Sequence, residues 1–192
     1  KAADIQIAQY GSSNVARMKM VYREGLAHRY GKVMQTISGI HYNFSLSDKF
    51  WPAYQQALGN SDAINTFKTA RYFGLIRNFR RQAFVLLYLF GASPAVCPSF
   101  VEGRSHELER LSDHTLYLPH ATSLRMGRLG YQSDAQAALA VSYNSLESYG
   151  RSLQEALTVP YPAYEAVGIR NPGGDYNQLA TSLLQIENEF YG

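Results

Sequence analysis

The stretch Val33 to Leu46, VMQTISGIHYNFSL, limits what the chain can fold into more than any other. Its residues alternate in character, and a period of two is the period of a β-strand. On that reading Met34, Thr36, Ser38, Ile40, Tyr42, Phe44 and Leu46 face a core, while Val33, Gln35, Ile37, Gly39, His41, Asn43 and Ser45 face the other way. The second face carries two amides, an imidazole and a hydroxyl, is nearly uncharged, and has a glycine where a ligand can approach the backbone. A sheet that lines a site has this character. As strand residues, Gln35 and His41 have stems roughly 20 Å apart. They would serve two ends of one extended reaction centre.

With 192 residues, 46% of them apolar and 13% aromatic, the chain has material for one domain with a substantial core, and global disorder is excluded. The 18 Lys and Arg nearly balance 15 Asp and Glu. Outside the cluster Arg77, Arg80 and Arg81 the cations are scattered, so no nucleic-acid partner is expected. The single cysteine, Cys97, excludes an internal disulfide and favours a reducing compartment. The expected location is cytoplasmic. The most apolar run, Ala83 to Phe90, is well short of the about 20 residues a membrane-spanning helix needs, so no membrane partner is expected. A chain that begins on lysine and ends on a motif still running at Gly192 reads as an excised piece.

Taken in order, helical spacing predicts a first helix from Ser12 to Gly31, capped by Ser12, Ser13 or Asn14 and stopped by the glycine. Val15, Met18, Tyr22, Leu26 and Tyr30 share one side of it, and taken alone Tyr22 reads as a core aromatic. A short helix is expected around Phe50, Trp51 and Tyr54. A long one is expected from about Ser61 to Phe90, with Ala83 to Phe90 buried on every face. Ion pairs or a solvated face account for Arg77, Arg80 and Arg81. Residues 91–132 have weak periodicity and many turn formers, which suits a functional or mobile stretch better than a structural one. It carries Arg125, Arg128 and Tyr131, near His106, His114 and His120, whose spacings match no compact zinc motif. Ala138 to Tyr143 reads as a short strand. A helix follows from Asn144 to about Leu157, with Glu147 completing an approximate capping box. Then come a helical turn over Ala163 to Val167 and the turn NPGGDY at Asn171 to Tyr176. In the closing LLQIENEFY, alternation groups Gln185, Glu187, Glu189 and Tyr191 on one strand face, and solvent is the expected neighbour of its two carboxylates.

None of the strong generic motifs occurs. There is no GxxxxGKS/T loop, no GxGxxG after a strand, no GxSxG elbow and no paired CxxC. The residues alone lead to a mixed α/β domain with a polar strand face, an arginine–tyrosine loop and an acidic strand. The segments YGSSN, YREGLAHRYG, MQTISGIHYNFSL, IRN, YLFGASPAVC, LPHATSLR, LGY and LLQIENEFY carry the reading further. From about Ile5 to the last residue, in unchanged order, they resemble the middle of the bacterial glutamate–cysteine ligases of the proteobacterial type, the γ-glutamylcysteine synthetases. SGIHYNFSL is also similar to the histidine-bearing strand of glutamine synthetases.

The resemblance implies an α+β fold: part of a glutamine-synthetase-like antiparallel sheet with helices packed on one side. Residues 1–192 would be a single central catalytic fragment of a longer ligase whose N- and C-terminal flanks are missing. It implies an enzyme that uses ATP and Mg2+ to join the γ-carboxylate of glutamate to the amine of cysteine through γ-glutamyl phosphate, the first step of glutathione synthesis. Charge builds on phosphoryl oxygens in both steps, so metal ions and fixed cations matter more than a strong acid or base.

By match to the family, His41 ligates a magnesium beside the ATP phosphates, although imidazole is an unusual partner for so hard an ion. Tyr22, Leu26, Gln35, Tyr131 and Tyr191 match positions that shape the cysteine pocket. There, phenol hydroxyls suit the carboxylate, and ring faces with Leu26 suit the thiol side chain. Arg125 matches an arginine at the substrate, a catalytic role that a fixed guanidinium suits. Asn43 and Ser45, sharing the His41 face by alternation, would reach the nucleotide side. Cys97 matches a family cysteine whose buried-looking neighbours argue against a nucleophile. Most of the family's metal-binding glutamates come from a strand region before this stretch, and another, with a phosphate-facing arginine, from a strand after it. Glu187 and Glu189 match none of them, so the 192 residues by themselves are expected to bind nucleotide poorly and to be inactive. Two other readings stay open: a sister ligase joining glutamate to another amine, and a non-catalytic binding domain that kept the fold.

Overall fold

Helix α1 runs from Asn14 to Tyr30, as its spacing predicts. Ser13 closes its first turn by accepting the Ala16 N–H on its hydroxyl at 3.2 Å. Gly31 ends it at φ +85°, a conformation that strains any residue with a Cβ. The computed structural model describes residues 4–37, 42–91, 93–124, 129, 135 and 139–190. Along α1 the expected apolar side is split. Leu26 is buried with Ala16 and Gly25, whereas Val15 and Met18 lie exposed.

The strand expected over 33–46 does not form in its described residues. Lys32–Thr36 is a 3-10 helix, in which the Gly31 carbonyl accepts the Met34 N–H and the Met34 carbonyl that of Ile37. Residues 42–47 are irregular, and Ser38 to His41 lie outside the described residues. The reason is backbone satisfaction. A strand needs a neighbouring edge for its N–H and C=O groups, whereas a 3-10 turn pairs them internally and still buries Met34. The Leu46 N–H goes to a side chain instead, the Tyr72 hydroxyl at 3.1 Å.

Helices α2 (Phe50–Ala57) and α3 (Ile64–Phe90) pack through aromatic rings. The rings of Trp51 and Tyr72 are 4.7 Å apart, and those of Tyr54 and Phe67 5.7 Å apart, around the buried Trp51 and Phe67. Only the first half of α3 enters the core, at Phe67 and Phe73. The expectation that Ala83 to Phe90 is buried on every face is corrected: Phe84, Tyr88 and Phe90 are 67%, 77% and 74% exposed. An apolar helix is buried only as far as something packs on it, and of Ala83 to Phe90 only Ala83 and Leu87 are part-buried. The mid-helix arginines tether α3 to the residues preceding helix α4 (Leu146–Thr158). Arg77 donates to the Tyr143 carbonyl at 2.8 Å, and the Arg80 guanidinium lies 4.7 Å from the centre of the Tyr143 ring.

The sheet arises where periodicity was weakest. Within residues 91–132, β1 (Ala95–Val96), β2 (Glu109–Ser112) and β3 (Thr115–Tyr117) form a three-stranded antiparallel sheet in the order β1-β3-β2. Tyr117 of β3 pairs with Ala95 on one side and Glu109 on the other. Strands this short leave too few residues for alternation to register. The class is therefore α+β, as expected, and among the described residues its strands come from a different part of the chain. Residues 139–143 are irregular rather than a strand. Ser145 and Ser148, not Asn144 and Glu147, form the capping box of α4. Helix α5 (Pro162–Val167) follows and stops at Gly168. Among the described residues no helix is long and apolar enough to cross a membrane.

The closing stretch departs from expectation too. Glu187–Glu189 is a 3-10 turn rather than part of a strand, and Glu189 is completely buried instead of facing solvent.

Candidate functional site

Two segments some 150 residues apart meet on the C-terminal half of α1, and a charged cluster joins them. All five N–H donors of the Arg29 guanidinium are used. Nε and Nη2 donate to Gln178 Oε1 at 3.1 and 3.0 Å, and Nη2 also to the Ala180 carbonyl at 2.7 Å. Nη1 donates to the Leu183 carbonyl and to Glu189 Oε1, both at 3.1 Å. The guanidinium lies 4.1 Å from the centre of the Tyr164 ring. Both side chains of the Arg29–Glu189 pair are fully withdrawn from solvent. Glu189 Oε1 also accepts the Tyr30 hydroxyl at 3.2 Å, and Oε2 accepts the Gln185 backbone N–H at 2.6 Å. Burial raises the Glu189 pKa above the ordinary glutamate range, against the opposing pull of Arg29, the Gln185 N–H and the Tyr30 hydroxyl.

Gln185 carries the cluster on to α1. Its Oε1 accepts the Leu179 N–H at 3.0 Å, and its Nε2 donates to the Tyr22 carbonyl at 3.3 Å. The amide lies so close to the helix that a Cβ on Gly25 would overlap it. Glycine in mid-helix costs about 0.5–1 kcal/mol relative to alanine; here it is what lets the amide reach the backbone.

Three of the residues assigned to a substrate pocket lie on α1 or bond back to it. Tyr22 and Leu26 are one turn apart on α1, the first half-buried and the second buried. Gln35 folds back on the same helix: its Nε2 donates to the Arg23 carbonyl at 2.9 Å, and its Oε1 accepts from Arg23 Nη1 at 3.4 Å. The 3-10 turn thus brings the Gln35 amide onto Arg23, the residue after Tyr22, by a route the strand reading did not contain. His41, Arg125, Arg128, Tyr131 and Tyr191 lie outside the described residues. Asn43 and Ser45 are described and exposed. The alternation that placed them on the face of His41 is absent over residues 42–46.

Among the described residues no three His, Cys, Asp or Glu side chains group so as to hold a metal. Glu187 is exposed, and the oxygens of Glu189 are committed to Arg29, Tyr30 and Gln185. Magnesium seeks near-octahedral oxygen ligands, and the described carboxylates do not fit it. Cys97 is exposed, which corrects the expectation of buried surroundings. A hydrogen bond from the Ser99 hydroxyl, 3.2 Å from Sγ, lowers its thiol pKa. An open cleft of about 1070 Å³ lies against another face of α1, where Arg17, Val21, Glu24 and His28 meet Asn171 and Asp175. Tyr22, Leu26 and Gln35 are not among its lining residues.

The sequence reading passed over Arg29 and Gln178, and placed Glu189 and Gln185 on a solvent face. The one signal available was Gly25, a poor helix former inside a strong helix, which marks a close approach.

A family model described as Glutamate-cysteine ligase matches residues 1–192. The glutamate–cysteine ligase of Alcanivorax borkumensis is 55% identical over 195 residues, covering 100% of this chain and 37% of its own. That of Pseudomonas aeruginosa (strain PAO1) is 57% identical over 187 residues, 97% of this chain and 35% of its own. The crystal structure of glutamate–cysteine ligase from Francisella tularensis in complex with AMP superposes with a TM-score of 0.88 at 41% identity, over 100% of this chain and 37% of that one. The chain spans little more than a third of the length of the relatives it matches.

Proposed function

The chain belongs to the glutamate–cysteine ligase family, and from that premise we propose that it is the central part of a longer ATP-dependent ligase and carries the pocket for cysteine. The reading rests above all on the turn of α1 that presents Tyr22 and Leu26, with Gln35 bonded back onto the same helix. A half-buried phenol and a half-buried amide, with the buried Leu26 one turn along from the phenol, suit a small amino acid with a weakly polar thiol. Tyr131 and Tyr191 complete the pocket by family resemblance, and Arg125 binds the substrate carboxylate or the phosphoryl oxygens.

In the reaction, an oxygen of the glutamate γ-carboxylate attacks the γ-phosphorus of ATP and ADP leaves. The amine of cysteine then attacks the acyl carbon, phosphate departs, and the amine loses its proton. The chain's part is to orient the amine and to shield the acyl phosphate from water while it waits. Nucleotide use is supported by the AMP held in the Francisella tularensis relative. Asn43 and Ser45, exposed and neutral, lose the alternation that put them on that side and carry no part of this reading. Magnesium, assigned to His41, neutralises phosphoryl charge when bound.

The test is ADP release by the full-length protein with ATP, magnesium and glutamate, with and without cysteine. Cysteine-dependent release is expected, nearly lost in His41→Ala, with a higher cysteine requirement in Tyr131→Phe. Release stimulated only by a different amine would make the protein a sister ligase. No release from a folded protein would leave a binding domain. The 192 residues alone are expected to show no turnover.

A further inference from the structure

The proposed chemistry gives no task to the most elaborate polar construction among the described residues, the buried cluster of Arg29, Glu189, Gln185 and Gln178. Ion pairs so withdrawn from water are weak evidence for stability, because desolvation offsets most of their attraction. Their best-attested benefit is to fix one arrangement among several that an apolar contact would tolerate.

Here the arrangement fixed is specific. Glu189 Oε2 holds the Gln185 backbone N–H at 2.6 Å, and the Gln185 side chain in turn holds the Tyr22 carbonyl at 3.3 Å. Glu189 Oε1 holds Arg29 and Tyr30, one turn beyond Leu26 on α1. Along the chain, Tyr191 follows Glu189 by two residues. Gly25 lies between Tyr22 and Leu26 in the sequence and leaves the room that the Gln185 amide occupies.

We propose that Glu189 and Gln185 are positioning residues for the amine substrate: they lock the Tyr22–Leu26 turn of α1 against the 178–190 segment. The proposal rests on the reading of Tyr22 and Leu26 as part of the cysteine pocket. It goes further by making affinity for cysteine, and not for ATP or glutamate, depend on side chains that never touch cysteine.

The experiment measures KM for cysteine, glutamate and ATP separately in the full-length protein, for wild type, Gln185→Ala, Gly25→Ala, the double variant, Tyr22→Phe and Tyr131→Phe. Gln185→Ala keeps the backbone N–H that Glu189 accepts, so it is the mildest break of the chain of contacts. A misplacement of an ångström at a binding group can cost up to about a hundredfold. An increase of about tenfold in the cysteine KM is expected for Gln185→Ala and Gly25→Ala, with the other two constants within about twofold. Because the added methyl acts by displacing the amide, the double variant should be no worse than Gln185→Ala alone, a non-additivity that separates positioning from general loosening.

Equal rises in all three constants, or additive losses in the double variant, would overturn the proposal. A raised cysteine KM in the tyrosine variants without any change in Gln185→Ala would overturn the positioning role and leave the pocket standing. Unchanged cysteine KM in the tyrosine variants as well would overturn the pocket reading along with it.

Discussion

The C-terminal halves of the two longest helices contradict ordinary expectation in opposite directions. In α3, Ala83 to Phe90 is almost wholly apolar and yet largely exposed. On the last turns of α1 and the segment facing them, an arginine, a glutamate and two glutamines are involved in burial, with Gln178 and Glu189 fully inside. Hydrophobicity makes burial favourable, but a partner surface makes it happen. The polar cluster is inside because each group meets a partner of matching geometry, down to the fifth N–H of Arg29. The apolar helix end is outside because the described residues leave most of it uncovered.

The sharpest break of this contrast is removal of one member of the buried pair. Glu189→Ala or Arg29→Ala strands the other charge in the interior, and a loss of about 3–5 kcal/mol is expected in denaturant unfolding. The same pair predicts a pH effect. A carboxyl whose pKa is raised on folding binds its proton more tightly when folded, so the folded state is favoured most at low pH. Its contribution declines as pH rises from the ordinary glutamate value of 4.5 through the raised one. Arg29 and Tyr30 face the group and limit the decline. Thermal melts across that window should show a slope that Glu189→Gln removes.

Gly25→Ala should come next. An ordinary mid-helix Gly→Ala change stabilises by about 0.5–1 kcal/mol. At Gly25 the sign should reverse, to a loss of about 1–3 kcal/mol, because the methyl overlaps the Gln185 amide. Ser145→Ala, which removes one half of the capping box of α4, should cost about 1 kcal/mol. Smallest of all, Phe84→Ser and Tyr88→Ser should change stability by less than about 0.5 kcal/mol. A large loss there would mean that the apolar end of α3 is covered after all.

These residues also show how far the sequence was legible. The helices were, because caps and stops at Ser13, Gly31, Gly91 and Gly168 are local chemistry that tertiary contacts seldom override. Tyr22, Leu26 and Gln35, which the family pattern grouped, lie on α1 or bond back to it, even though the strand used to reach Gln35 does not form over its described part. Period-two alternation failed over residues 33–37 and 42–46 and again at 184–190. A short alternating run fits a 3-10 turn as well as a strand when no partner edge is specified. Glu189 was illegible for a different reason: its partner Arg29 lies 160 residues earlier, and nothing local marks either as buried. Only Gly25 hinted at the approach.

The central claim is that one buried polar cluster makes the Tyr22–Tyr30 half of α1 and the 178–190 segment a single unit. Amide hydrogen exchange of the full-length protein, compared between wild type and Glu189→Gln, tests it directly. If the account holds, residues 22–30 and 178–190 lose protection together while Phe67 to Phe73 in α3 keep theirs. Loss confined to 178–190, with α1 unchanged, would contradict it.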